Sequence, residues 1–192
     1  MKSVNSILDL FRESGALLEG HFRLSSGLHS NGYLQSALVL QHPAHAETLG
    51  RALAALVAPH APTAVLSPAL GGIVIGHEVA RALGVRAVFA ERQDGTLTLR
   101  RGFTLGPDDR LVVIEDVVTT GGSTRETIDV AKANGADVVA AGSIIDRSGG
   151  ESSLGVPYHA LVTLSLPTWQ EAECPLCKQG QPAVKPGSRP RA

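Results

Sequence analysis

Two kinds of apolar pattern alternate along the chain, and together they predict its elements. Between Ser3 and Ser14, Val4, Ile7, Leu8, Leu10 and Phe11 recur at helical spacing and Gly15 supplies a stop, so a first helix is expected there. From Leu17 to Gln35, hydrophobic and polar positions alternate among turn residues, the pattern of short antiparallel strands in a small β hood. Pro43 opens a second helix that runs to Val57, with Leu49, Leu53, Leu56 and Val57 on one face. Beyond it the pattern changes to short apolar runs separated by helical segments. Strands are expected at Val65-Leu66, Arg86 to Ala90, Leu111 to Ile114, Ala136 to Ile145 and Tyr158 to Leu164. Helices are expected from about Ile73 to Leu83 and from Arg125 to Asn134, with Gly135 closing the second. The Leu111–Ile114 run is apolar without alternation, so it reads as a strand covered on both faces, as in a parallel sheet.

Length and charge narrow the choice. At 192 residues the chain suits one well-buried α/β domain with small attachments. Its boundaries are expected at 1–166, with the hood at about 17–40. Residues 167–192, rich in proline and basic residues, read as an irregular, partly disordered tail. Seventeen Lys and Arg against eighteen Asp and Glu leave a formal charge of −1, with no field for wrapping nucleic acid or anionic lipid. A small-molecule ligand is favoured. No apolar run approaches a membrane span, the first residues do not read as a secretory signal, and two cysteines are too few for a disulfide framework. A cytoplasmic protein is the expectation.

The chemistry concentrates just after the Leu111 strand, in Glu115-Asp116-Val117-Val118-Thr119-Thr120-Gly121-Gly122-Ser123-Thr124. Two carboxylates at a strand end are costly to bury unpaired, so Glu115 and Asp116 belong at the mouth of the sheet, facing a polyol, a cation or both. The hydroxyls and unhindered backbone N–H groups after them fall at a helix N-terminus and form a phosphate cradle. The chain has no G-x-x-x-x-G-K-[ST] and no G-x-G-x-x-G at a strand end. A paired-acid hook followed by a one-phosphate loop suits a sugar phosphate with two neighbouring hydroxyls. The run resembles the 5-phosphoribosyl 1-pyrophosphate (PRPP) motif of type I phosphoribosyltransferases. Gly20-His21-Phe22-x-Leu24-Ser25-Ser26-Gly27-x-His29-Ser30 with nearby Tyr33 is similar to the hood of the orotate phosphoribosyltransferase family.

That resemblance implies a type I phosphoribosyltransferase fold: a central, mostly parallel sheet flanked by helices, with a small N-terminal β hood. It implies Mg²⁺-assisted transfer of the phosphoribosyl group from PRPP to orotate, the cation held mainly by PRPP, pyrophosphate and water, with no metal-ligating residue in the chain. Glu115 and Asp116 would hold the ribose hydroxyls, and Val117 and Val118 with Thr119–Thr124 would line the phosphate. Thr119 would also touch the base edge, Leu70 and Gly71 the pyrophosphate, and Ser25, Tyr33, Leu34 and Arg147 the orotate. A homodimer is implied, with lid loop 91–103 closing on the partner's site and Arg92, Arg100 and Arg101 neutralising the leaving group. The chain departs from many relatives in carrying Gly71 and Ser25 where they carry Lys, and in lacking a Lys-x-His lid; Leu70-Gly71-Gly72-Ile73 and Thr98-Leu99-Arg100-Arg101-Gly102-Phe103 look like the shorter branch.

Several signals keep two readings on residues alone. Gly71-Gly72 suits close ligand approach or an ordinary strand-to-helix turn. The arginines around Asp94-Gly95 suit a lid or a solvated hairpin, and Arg147 either clamps a planar carboxylate or pairs at the surface with Asp146. His21 and His29 pack, hydrogen-bond or touch a base, and His42-Pro43-Ala44-His45 is taken as surface. Cys174-x-x-Cys177 is half of a zinc ribbon with no second pair after it; no metal is expected, although two subunits pooling their pairs and a structural knuckle stay open. Rival functions are transfer to a purine or uracil, and a PRPP-sensing regulator, for which a helix-turn-helix or basic stripe is wanted and not found.

Overall fold

The structure, a computed structural model, describes residues 4–24 and 26–185. The chain runs through α1 (Val4–Glu13), β1 (Leu17–Arg23), β2 (His29–Leu34), α2 (Ser36–Leu40), α3 (Pro43–Val57) and β3 (Ala64–Pro68). It continues through α4 (Gly71–Leu83), β4 (Arg86–Gln93), β5 (Thr96–Leu99), β6 (Arg110–Val118), α5 (Gly122–Ala133), β7 (Asp137–Asp146) and β8 (Tyr158–Thr163). A two-residue β9 (Thr168–Trp169), a 3₁₀ turn (Glu171–Glu173) and α6 (Pro175–Lys178) follow.

Six strands form the central sheet in the order β5-β4-β3-β6-β7-β8, all neighbours parallel except the β4–β5 hairpin. The expected mostly parallel sheet with flanking helices and an N-terminal hood is therefore present. Successive residues of a strand face opposite sides, and β6 shows both sides sealed. Val112 and Ile114 join Leu49, Leu53 and Val57 of α3 in one apolar cluster, while Leu111 and Val113 join Ile128 and Ala131 of α5 in the other. On the first side α3 and α4 approach closely at Gly50, where a Cβ would lie 2.5 Å from the Glu78 Cβ and 2.9 Å from its carbonyl carbon.

The structure bears on two expectations, the hairpin read at Asp94-Gly95 and the irregular tail. Residues 91–103 are largely a β-hairpin extending the sheet edge: Ala90 pairs with Leu99 and Gln93 with Thr96 across a turn in which Asp94 and Gly95 have positive φ. It is anchored because Leu97 is buried and the Phe89 and Phe103 rings meet edge-on at 5.0 Å. The tail also has a place. Thr168 and Trp169 pair with Ser30 and His29, while Val184 exchanges backbone hydrogen bonds with Arg23 and His21. Both open edges of the β1–β2 hairpin are thereby covered, which satisfies N–H and C=O groups that an edge leaves unpaired. Two strand residues beside a proline are too short a signal to be read from periodicity.

Candidate active site

The sheet reverses its direction of winding between β3 and β6. From β3 the chain crosses outward to β4, and from β6 it crosses the other way to β7, so the loops at the C-terminal ends of β3 and β6 open a crevice between them. Both loops lead into helix N-termini, those of α4 and α5. A cavity of about 1050 Å³ lies here, roofed by the hood and α2.

Glu115 and Asp116 are consecutive in β6, so the strand sends them to opposite sides. Glu115 is only 6% exposed and accepts a hydrogen bond from Ser123 Oγ at 3.0 Å. Burial, with the neighbouring Asp116 charge second, pushes its carboxyl up to about 8, against the pull of the Ser123 hydroxyl. At neutral pH Glu115 is therefore largely protonated, which lowers the negative charge at the mouth of the sheet. Asp116 is half-buried and lines the cavity. It lies against Gly71, where a Cβ would sit 2.8 Å from Asp116 Oδ1. The glycine in the β3–α4 turn makes room for this carboxylate.

The β6–α5 loop presents Thr119 and Thr120 to the cavity and turns into α5 through Gly121, whose φ of 74° is left-handed. Among the described residues no side chain caps this helix, so first-turn N–H groups stay available to an anion. The loop is braced from behind: Arg125 donates to Thr120 O at 2.8 Å and Ser153 O at 3.1 Å, and Ser152 Oγ donates to Thr119 O at 3.3 Å. Sequence reasoning missed Arg125 and Ser152, which no motif marks because they act on backbone.

Asp146, buried at the end of β7, does not pair with Arg147. It accepts from Ser148 N, Ser148 Oγ and Gly150 N at 2.8, 2.6 and 3.1 Å, and so shapes its own loop. Arg147 is turned to the cavity, half-buried, with Nε lacking any hydrogen-bond partner among the described residues. Burial lowers the pKa of its guanidinium, the expected cost for a cation short of a counter-charge. Tyr33 and Leu34 of β2 complete this wall, as do Gln35 and residues of α2, a helix of five residues too short for the sequence pattern to reveal.

The cavity thus gathers Asp116, Val117, Thr119, Thr120, Leu70, Gly71, Tyr33, Leu34 and Arg147. Glu115 and Val118 are buried and do not line it, and Gly121, Gly122, Ser123 and Thr124 form the turn into α5 and its first residues. Ser25 lies outside the described residues. The three lid arginines do not line the cavity of their own chain. Arg92 binds Glu126 at 2.7 and 3.1 Å, Arg101 binds Glu91 at 2.7 and 3.0 Å, and Arg100 lies 3.7 Å from Glu91. Opposite charges set ten residues apart across a hairpin find each other, which the count of arginines alone did not foretell.

The model of the phosphoribosyl transferase domain family matches residues 37–177. An orotate phosphoribosyltransferase from Heliobacterium modesticaldum is 56% identical over 189 residues, covering 97% of this chain and 99% of its own. One from Thermotoga maritima is 49% identical over 183 residues, 95% of this chain and 98% of its own. Among solved structures, the orotate phosphoribosyltransferase of Aeropyrum pernix superposes with a TM-score of 0.70 at 27% identity, covering 82% of this chain and 93% of that one. The Mycobacterium tuberculosis enzyme, solved in complex with PRPP, shares the fold with a TM-score of 0.65 at 21% identity, over 84% and 96% of the two chains.

Proposed function

The chain belongs to the orotate phosphoribosyltransferases, enzymes of the type I phosphoribosyltransferase fold that transfer a pentosyl group, and from that premise we propose how its own residues divide the work. The reaction is orotate plus PRPP giving orotidine 5′-monophosphate and pyrophosphate, a step in making pyrimidine nucleotides. The observation that carries the assignment is the meeting, in one cavity, of the Asp116 carboxylate of β6, the Thr119-Thr120 loop that leads into the uncapped N-terminus of α5, and a half-buried arginine with no partner for Nε among the described residues.

Asp116 holds the ribose 2′ and 3′ hydroxyls with Glu115 behind it, and its charge stabilises the cation-like anomeric carbon as pyrophosphate departs. The Thr119–Thr124 turn takes the 5′-phosphate, and Leu70 with Gly71 faces the pyrophosphate. Arg147 clamps the orotate carboxylate through paired hydrogen bonds, while Thr119, Tyr33 and Leu34 border the base, with Ser25 assigned to the same wall by sequence. Catalysis is then positioning and charge stabilisation, with no protein nucleophile.

Magnesium fits this site. The ion would be held mainly by ribose and pyrophosphate oxygens and water, with the Asp116 carboxylate facing the same cavity, and it would supply charge neutralisation there. When bound, it neutralises the leaving pyrophosphate. A homodimer in which hairpin 91–103 reaches the partner's site agrees with the exposure of the Arg92, Arg100 and Arg101 pairs, which contribute little individually and exchange readily. Among the described residues no helix is long and apolar enough to cross a membrane, and free Cys174 and Cys177 agree with a reducing cytoplasm.

The test is to mix the protein with PRPP, Mg²⁺ and orotate and follow the loss of orotate absorbance, with uracil, hypoxanthine and guanine in parallel. Consumption of orotate alone, abolished by chelation, is the expected result. If PRPP binds and no base is consumed, the protein is a PRPP sensor and the catalytic reading falls.

A further inference from the structure

His21 and His29 do not serve the base cavity. They turn to the other side of the hood, where the tail brings Cys174 and Cys177 against them, and the four candidate ligand atoms lie within 4.8 Å of one another. His21 Nε2 is 2.8 Å from His29 Nδ1, 3.4 Å from Cys174 Sγ and 3.7 Å from Cys177 Sγ. His29 Nδ1 is 3.2 Å from Cys177 Sγ. A tetrahedral zinc ion with Zn–N of ~2.0–2.1 Å and Zn–S of ~2.3 Å holds its ligand atoms roughly 3.3–3.8 Å apart, so small adjustments convert this cluster into a coordination shell.

We propose that His21, His29, Cys174 and Cys177 form a structural zinc site that pins the C-terminal tail to the hood. Three further observations support it. The other ring nitrogen of His21, Nδ1, is 2.8 Å from the Gln181 carbonyl oxygen, which fixes the proton on Nδ1 and leaves the Nε2 lone pair aimed into the cluster. The tail has almost no apolar anchor: among residues 167–185 Cys174 alone is buried, yet the segment is held along both hood edges. Charge also balances, because Zn²⁺ with two thiolates and two neutral imidazoles is neutral and tolerates a buried setting. Binding releases two thiol protons to solvent; the imidazoles give lone pairs, and nothing is oxidised or reduced.

This arrangement escapes a sequence scan because the histidine pair precedes the cysteine pair by most of the chain. It also ties the metal to the reaction indirectly. The hood strand that carries His29 carries Tyr33 and Leu34, and Thr168 of β9 lines the same cavity as they do.

The test uses the full-length protein, free of any affinity tag, expressed with zinc in the medium and purified without chelator. Elemental analysis is expected to give about one zinc per chain, and Co²⁺ loading of the reduced protein to give thiolate-to-cobalt charge-transfer bands with tetrahedral d–d absorption. C174S/C177S should lower the zinc content at least about tenfold, and chelation of the native protein should lower its melting temperature, with recovery on adding zinc. If the double variant does not fold, C177S alone should retain the fold and weaken the cobalt charge-transfer band. Zinc below about a tenth per chain with no cobalt spectrum overturns the site. So does unchanged zinc in a folded C174S/C177S, or a native mass two hydrogens light that marks a disulfide. None of these readouts involves PRPP or orotate, so the metal site and the catalytic assignment stand or fall separately.

Discussion

Replacing Glu115 by Gln tests whether β6 carries a neutral carboxyl in its buried position. In the native protein this group protonates at about 8, against 4.5 for an unperturbed glutamate. Below pH 4.5 it is protonated in the folded and unfolded chains alike. Between pH 4.5 and about 8 the unfolded chain has lost the proton and the folded chain still binds it, so stability falls as pH rises. Each pH unit in that window costs about 1.4 kcal/mol, and the interval of about 3.5 units sums to roughly 5 kcal/mol by pH 8 and above. Gln keeps the shape and still accepts from Ser123 Oγ but has no proton to lose, so its curve lacks this component. The assay is urea unfolding of both proteins at pH steps from 5 to 9. The native protein should lose stability relative to E115Q steadily up to about pH 8, then run parallel to it. Parallel curves over the whole range would show that Glu115 is ionised in the folded protein and refute the reasoning.

Other perturbations separate chemistry from scaffold. Asp116→Asn, at the cavity surface, should cut turnover more than about tenfold without moving the melting temperature appreciably; near-normal turnover removes Asp116 from the reaction. Arg147→Ala should raise the KM for orotate far more than that for PRPP, and equal effects on both would rule out a carboxylate clamp. Gly50→Ala pushes a methyl into the backbone of α4 at Glu78, and should lower stability in urea by about 1–3 kcal/mol while kinetic constants of the folded fraction hold.

How much of this was legible beforehand depended on the distance over which each signal acts. The β6 run, with its acids, hydroxyls and glycines in one continuous stretch, announced a strand and a helix start without help from the rest of the chain. The place of Arg147 at the cavity was legible for the same reason, since it stands directly at a strand end. Local sequence treated Glu115 and Asp116 as equals, and only the packing of α5 on β6 distinguishes a buried carboxyl from an open one. The absence of a lysine at position 71 looked like a gap in the motif; in space the glycine leaves room for the Asp116 carboxylate. The tail was opaque because its order comes from pairing with strands at the far end of the sequence. A two-residue strand has too little periodicity to reveal that.

The closure of both hood edges by residues 168–184 has a consequence for the order of events during synthesis. The hood strands are made well before residues 168–184, so their outer hydrogen-bonding groups meet these partners only after the strands of the central sheet have been synthesised. A chain interrupted before Thr168 would thus hold the crevice between β3 and β6 and lack the strand that covers the edge of β2 beside the same cavity.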